Sequence, residues 1–242
     1  MSLSFLGALL VKDPLIILHT IFMGSLSVLV SFFDPDNRGT DAIARAWAAH
    51  LVFIAGIKLR VRGLENFDPE ASYVFAGNHL SLYDTPVMLS SVPNRFLFLV
   101  NAKYVKLPFL GTHLRRTGHF SVDQEDVRGS LKILSQAARA MNRRGVSVLL
   151  FPEGSRARGE LGEFKEGAAY MAIKAGVPVA PFAIRGTREV LPIGSIQVKG
   201  GPVDLLFGRP IPTSGYTLKD RAKLNREMRD AVAGLLAELD AR

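Results

Sequence analysis

The sequence contains no cysteine. That absence excludes a disulfide framework, a thiolate zinc site and a cysteine nucleophile, and it fits a reducing compartment. Internal repeats, low-complexity segments and long linkers are missing as well. Acidic residues are the minority: 22 Asp and Glu stand against 30 Lys and Arg, a net charge of +8. A basic balance points to an anionic partner, whether nucleic acid, an anionic membrane or a phosphorylated substrate. No recognisable nucleic-acid motif accompanies it. Hydrophobic residues at 48% and charged residues at 21% exclude a disordered or collagenous chain. At 242 residues the chain forms one large domain, or one domain with an appendage, and can bury a sizeable core.

Formal charge is also missing from Pro14 to Phe33, PLIILHTIFMGSLSVLVSFF. At about 1.5 Å per residue, a helix of this length reaches about 30 Å, the thickness of a bilayer core. Asp13 is placed to cap it, Pro14 suits its first turn, and Asp34-Pro35-Asp36 stops it. A shorter apolar run, Ser2 to Val11, precedes it. No basic residue precedes that run and no clean cleavage site follows the second, which argues against a signal peptide. A buried core helix is the plain alternative, with His19, Thr20, Ser25 and Ser27 diluting the hydrophobicity. The favoured expectation is a membrane anchor, either spanning or lying in one leaflet as a hairpin. Lys12 lies before the segment, and Arg38, Arg45, Lys58, Arg60 and Arg62 follow it. That asymmetry puts the bulk of the chain on the cytoplasmic side of the cell inner membrane. Thr40 to Gly56 reads as a further helix whose stripe of Ile43, Trp47, Leu51 and Ile54 faces either the core or the headgroups.

The pattern changes near residue 57. Strand-like runs occur at 58–62, 73–76, 96–100, 118–122, 146–151, 177–184, 197–199 and 203–207. Helical runs at 130–142, 167–175 and from about Thr217 are interleaved, the first two ended by Gly145 and Gly176. Alternation of this kind implies an α/β fold with a central mixed sheet flanked by helices. The expected organisation is residues 1–56 as a membrane-associated helical segment and residues 57–242 as the α/β domain.

Two constellations carry chemistry. Asn78-His79 and Asp84 follow the strand 73–76, where α/β sheets place their ligand sites. Histidine is the commonest general base near neutral pH, and a carboxylate on its other ring nitrogen fixes the tautomer and stabilises the imidazolium. A turn can fold Asp84 back onto His79, and no serine nucleophile is needed if the substrate brings its own hydroxyl. Asn78 and Ser81 are polar neighbours able to brace the loop. The alternative reading is a satisfied histidine with Asp84 as a helix cap; a zinc set of His79, Asp84 and His113 is the remotest. The second constellation, Phe151-Pro152-Glu153-Gly154-Ser155-Arg156-Ala157-Arg158, leaves the strand 146–151. Arg156 and Arg158 can each fork a phosphate, and Glu153 can accept from a polyol hydroxyl. The alternative here is a solvated charged turn.

Together these blocks resemble the signature blocks of the glycerolipid acyltransferase family, of the bacterial 1-acyl-glycerol-3-phosphate acyltransferase type. N-H-x-x-x-x-D is present at Asn78, His79 and Asp84, and F-P-E-G-[ST]-R at Phe151 to Arg156. Val177-Pro178-Val179-Ala180-Pro181 and Phe164-Lys165-Glu166-Gly167-Ala168 are similar to two further blocks. The resemblance implies a membrane-associated O-acyltransferase of phospholipid synthesis. His79, oriented by Asp84, would deprotonate the acceptor hydroxyl for attack on an acyl-CoA or acyl-carrier-protein thioester. Asn78, Ser81, Glu153, Gly154, Ser155 and Arg156 are the implied substrate-binding residues, with no metal or redox cofactor. The implied partners are membrane lipid, a lysophospholipid acceptor and the acyl donor, and not nucleic acid. One block departs: Gln124 stands where the family carries an arginine that helps hold the acceptor phosphate. Arg115, Arg116 or Arg128 is expected to compensate, or the acceptor is not plain lysophosphatidate but another lysophospholipid or a lyso-aminolipid. A non-catalytic lipid-binding relative is the remaining alternative, disfavoured because His79 and Asp84 are both kept.

Overall fold

A computed structural model describes residues 11–107, 110–123, 125–157 and 159–241. Seven strands are described: β1 (Ile57–Arg62), β2 (Val74–Gly77), β3 (Phe96–Asn101), β4 (Phe120–Val122), β5 (Ser147–Leu150), β6 (Val179–Arg185) and β7 (Gly201–Phe207). They form one sheet in the order β1-β7-β6-β2-β5-β3-β4. Neighbours are parallel except β6 and β7, so the sheet is mixed. The helices are α1 (Asp13–Val30), α2 (Arg38–Ala55), α3 (Asp84–Ser91), α4 (Leu110–Arg116), α5 (Val127–Arg144), α6 (Gly167–Ala175), α7 (Thr187–Val190) and α8 (Arg221–Asp240). The α/β class with helices around a central sheet is the architecture expected from the alternating pattern.

Successive strand residues point to opposite faces, and this sorts the core into two layers. Phe75, Leu149, Phe182 and Phe207 pack on one face with Ala48, Leu51 and Ala55 of α2 and with Val87 and Met88 of α3. Val74, Ala76, Val148 and Leu150 pack on the other with Ala137 and Met141 of α5, Ala168 and Met171 of α6, and Leu224 and Met228 of α8. β6, β2 and β5 are adjacent and parallel. Their carboxyl ends therefore release the loops after Gly77, Leu150 and Arg185 side by side. The chain leaves β2 toward β3 on one flank and returns from β5 to β6 on the other, the kind of reversal at which open α/β sheets hold ligands. Gly77 makes the closure possible, because a Cβ there would collide with the ring and carbonyl oxygen of Phe182.

Two local expectations are corrected. Residues 197–199 join no strand: Val198 N–H donates to Asp13 Oδ1 and Lys199 N–H to Val190 O, which leaves no ladder for them. Asp13 accordingly is not a side-chain cap of α1 but a tether from its first turn to that loop. Nor is α1 a core helix. Only 17% of it is buried, and Leu15, Ile17, Leu18, Ile21, Phe22 and Leu29 are exposed. The run Ser2 to Leu10 lies outside the described residues.

Candidate active site

The site begins where β2 ends. The Asn78 side chain extends the pairing with β6: its Nδ2 donates to Ile184 O at 2.9 Å and its Oδ1 accepts from Ile184 N–H at 2.8 Å. The loop then turns into α3, whose first residue is Asp84. That carboxylate is fully buried. Its Oδ2 accepts from His79 Nδ1 at 2.7 Å, Leu80 N–H at 2.7 Å and Ser81 N–H at 2.9 Å. Its Oδ1 accepts from Thr187 Oγ1 at 2.5 Å. With N–H and O–H donors on both oxygens, this carboxylate serves as an acceptor on each side. His79 Nδ1 must then carry the proton, which leaves Nε2 with its lone pair. The His79 side chain keeps 18% of its surface exposed.

The loop after β5 braces this histidine. Phe151 stacks on the imidazole, with centroids 4.0 Å apart and planes 10° from parallel. Glu153 Oε1 accepts from His79 N–H at 2.9 Å, and Oε2 accepts from Gly162 N–H at 2.9 Å. Ala157 N–H donates to His79 O at 2.8 Å. Both backbone groups of His79 are thus tied to the neighbouring loop. The Ser81 hydroxyl donates to Leu191 O at 2.9 Å. Asn78, Ser81 and Glu153 therefore hold the protein's own backbone. Gly154, Ser155 and Arg156 line the same cavity as His79.

That cavity measures about 1100 Å³. From His79 and Arg156 its lining passes Phe96 and Phe98 of β3 to Met23 of α1 and Trp47 of α2. Lys103 and Lys165 are further cations on its wall. Ser155 and Arg156 also line a more open hollow of about 420 Å³ together with Glu153, Glu160 and Glu163. Two histidines are built into the cavity wall. His119 Nδ1 accepts from Phe98 N–H at 2.9 Å, and His113 Nδ1 lies 2.8 Å from Ser27 Oγ of α1. Burial, and secondarily His113, pushes His119 down to about 3; burial also lowers His113. His113 Nδ1 is thus taken up by Ser27 of α1.

Two of the three residues expected to stand in for the missing arginine are engaged elsewhere. Arg116 Nη2 donates to Ser31 O at 3.0 Å and its guanidinium lies over the Phe32 ring. Arg115 donates to Val105 O at 2.7 Å. Arg128 is exposed. Gln124 and Arg158 lie outside the described residues.

A model of the Acyltransferase family matches residues 58–185. The chain belongs to that family. It is 30% identical over 219 residues to the 1-acyl-sn-glycerol-3-phosphate acyltransferase of Haemophilus influenzae, covering 90% of this chain and 89% of the relative. It is 25% identical over 220 residues to the human alpha enzyme of the same name, covering 90% and 78%. The crystal structure of the 1-acyl-sn-glycerophosphate acyltransferase PlsC from Thermotoga maritima matches 98% of both chains, with a TM-score of 0.80 and 26% identity. The chain is thus an O-acyltransferase.

Sequence reasoning about this acyltransferase missed the end of β6 and the segment that follows it. Ile184, Thr187 and Leu191 contact Asn78, Asp84 and Ser81, and Arg188 Nη2 donates to Ala157 O at 2.9 Å. The cause is distance along the chain: Thr187 and Asp84 are 103 positions apart. The available signal was the strand that releases Thr187, which ends at the same edge of the sheet as β2. Its neighbourhood with β2 is a fact of strand order, not of local pattern.

Proposed function

We propose that this acyltransferase converts lysophosphatidate to phosphatidate, taking its acyl group from acyl-CoA or acyl-carrier protein. The observation that carries this reading is a histidine bonded through Nδ1 to a buried carboxylate, in the wall of an apolar cavity that also bears Arg156. His79 Nε2 takes the proton from the acceptor hydroxyl as the oxygen attacks the thioester carbonyl. The tetrahedral intermediate collapses, the C–S bond breaks, and the leaving thiolate takes the proton from the imidazolium. Asp84 stabilises that imidazolium throughout. The acceptor supplies the nucleophile, so the scheme uses no cofactor beyond the acyl donor. Arg156, with Lys103 and Lys165 on the same wall, is the cation set for the acceptor phosphate. Acyl chains suit the apolar remainder of the cavity. Gln124 favours a second reading, a lysolipid acceptor without a terminal phosphate.

The membrane is the source of the acceptor in this proposal. α1 has a mean hydropathy of 1.7 and an exposed apolar face. It is tied to the domain at both ends and at its middle. Lys12 Nζ donates to Ala55 O at 3.0 Å, Trp47 Nε1 to Thr20 Oγ1 at 3.1 Å, and Arg116 Nη2 to Ser31 O at 3.0 Å. A helix fastened along its length favours lying in one leaflet over crossing the bilayer. Exposed Arg115 and Arg116 beside α1 suit anionic headgroups. The charge asymmetry supports the cytoplasmic face of the inner membrane. A screen of acyl donors against lysolipids tests the reading. Thiol release that depends on lysophosphatidate is expected, and release indifferent to any lysolipid would refute it.

A further inference from the structure

We infer that Thr187 is a positioning residue for acyl transfer, holding the Asp84 carboxylate so that Oδ2 faces His79. The inference rests on the reading of His79 and Asp84 as the catalytic pair. Thr187 is fully buried and opens α7, directly after the turn that leaves β6. Gly186, at φ 92°, makes that turn, and a Cβ there would collide with Pro202 O. The strand end is therefore locked against β7, and the hydroxyl is delivered from a rigid element.

The two oxygens of Asp84 have unequal surroundings. Oδ2 collects three donors, all from the loop 79–81 that it organises. Among the described residues, Thr187 supplies the donor to Oδ1. Both oxygens turn together about the Cβ–Cγ bond, so the donor on Oδ1 adds a hold from a second element, across the carboxylate from the loop donors on Oδ2. Without the hydroxyl, Oδ1 would be a buried acceptor with no partner, a costly state. The carboxylate would relieve it by turning toward another donor or by taking a proton. Either change weakens the bond to His79 Nδ1, and with it the tautomer and the counter-charge for the imidazolium. This affects the transition state more than substrate binding, because the charge on His79 develops during transfer.

The test compares Thr187→Val, which keeps the shape and removes the hydroxyl, with Thr187→Ser, which keeps the hydroxyl. kcat and KM are measured for donor and acceptor, alongside the unfolding midpoint. Loss of a hydrogen bond to a charged group corresponds to roughly a ten- to hundredfold fall. We expect that fall in kcat for Thr187→Val, with KM within about twofold, and near-native turnover for Thr187→Ser. Native kcat in Thr187→Val, an effect confined to KM, or an equal loss in Thr187→Ser would overturn the inference. Should Thr187→Val fail to fold, Thr187→Ala against Thr187→Ser isolates the hydroxyl in the same way. If both variants lacking it fail to fold, the hydroxyl serves the fold and the inference falls. His79→Ala run in parallel separates the two levels. Native activity there removes the catalytic pair itself, whereas an inactive His79→Ala beside a native Thr187→Val removes only the role of Thr187.

Discussion

Replacing Glu153 separates two roles for the F-P-E-G-S-R loop. The family resemblance assigns this residue to the acceptor headgroup, but its oxygens accept from His79 N–H and Gly162 N–H. A hydrogen bond to a carboxylate contributes about 1.5–3 kcal/mol, so two such bonds set a ceiling of roughly 3–6 kcal/mol. Glu153 is half-buried, and water replaces part of what is lost, which brings the expectation for Glu153→Ala to about 2–3 kcal/mol. For a domain of this size that lowers the thermal midpoint by roughly 4–12 °C. His79 loses the anchor on its backbone while keeping Asp84, and misplacement of a catalytic group costs up to about a hundredfold in kcat. Glu153→Gln keeps one acceptor oxygen and should fall between wild type and Ala. The assay measures kcat, acceptor KM and thermal midpoint for both variants. Midpoint and kcat should fall together, with acceptor KM within about twofold. A raised acceptor KM with native kcat and native midpoint would refute the bracing role and make Glu153 a headgroup ligand.

Leu18→Glu combined with Phe22→Glu should move the chain from the floated vesicle fraction to the bottom fraction in flotation at high salt, since each buried apolar side chain contributes about 1.5–3 kcal/mol; unchanged flotation would show that α1 does not hold the membrane. Arg156→Ala should raise the KM for lysophosphatidate by roughly one to two powers of ten while sparing an acceptor that lacks the phosphate; equal effects on both acceptors would remove Arg156 from the phosphate site. His119 has a folded value of about 3 against a reference of 6.5, so between those values the unfolded chain binds a proton that the folded chain refuses, and stability falls as pH drops below about 6.5. His119→Asn keeps an acceptor for Phe98 N–H and should flatten this slope by about 1.4 kcal/mol per pH unit; an identical slope in unfolding titrations would contradict the buried neutral imidazole.

The α/β class was legible because the buried strands β2, β5 and β6 are short apolar runs and because Gly145 and Gly176 end their helices. Strand order was not. β1 pairs with β7 across the length of the domain, and no local pattern encodes that contact. Residues 197–199 alternate like a strand, yet their N–H groups serve Ser195, Asp13 and Val190. The pairing of His79 with Asp84 was legible because five positions and one turn separate them. The roles of Asn78, Ser81 and Glu153 were less so. Their polarity advertises ligand binding, and only the folded neighbours, the end of β6 and the loops at His79, Gly162 and Leu191, reveal the backbone groups that they satisfy.

The most direct measurement is thiol release from an acyl-CoA by wild type and by His79→Ala, each with and without lysophosphatidate. General-base catalysis supplies typically about 10² to 10⁴ in rate. Wild type should release thiol only when the lysolipid is present, and His79→Ala should lose that increment by this factor while keeping its fold. Lysolipid-dependent release by His79→Ala at close to the wild-type rate would contradict the account.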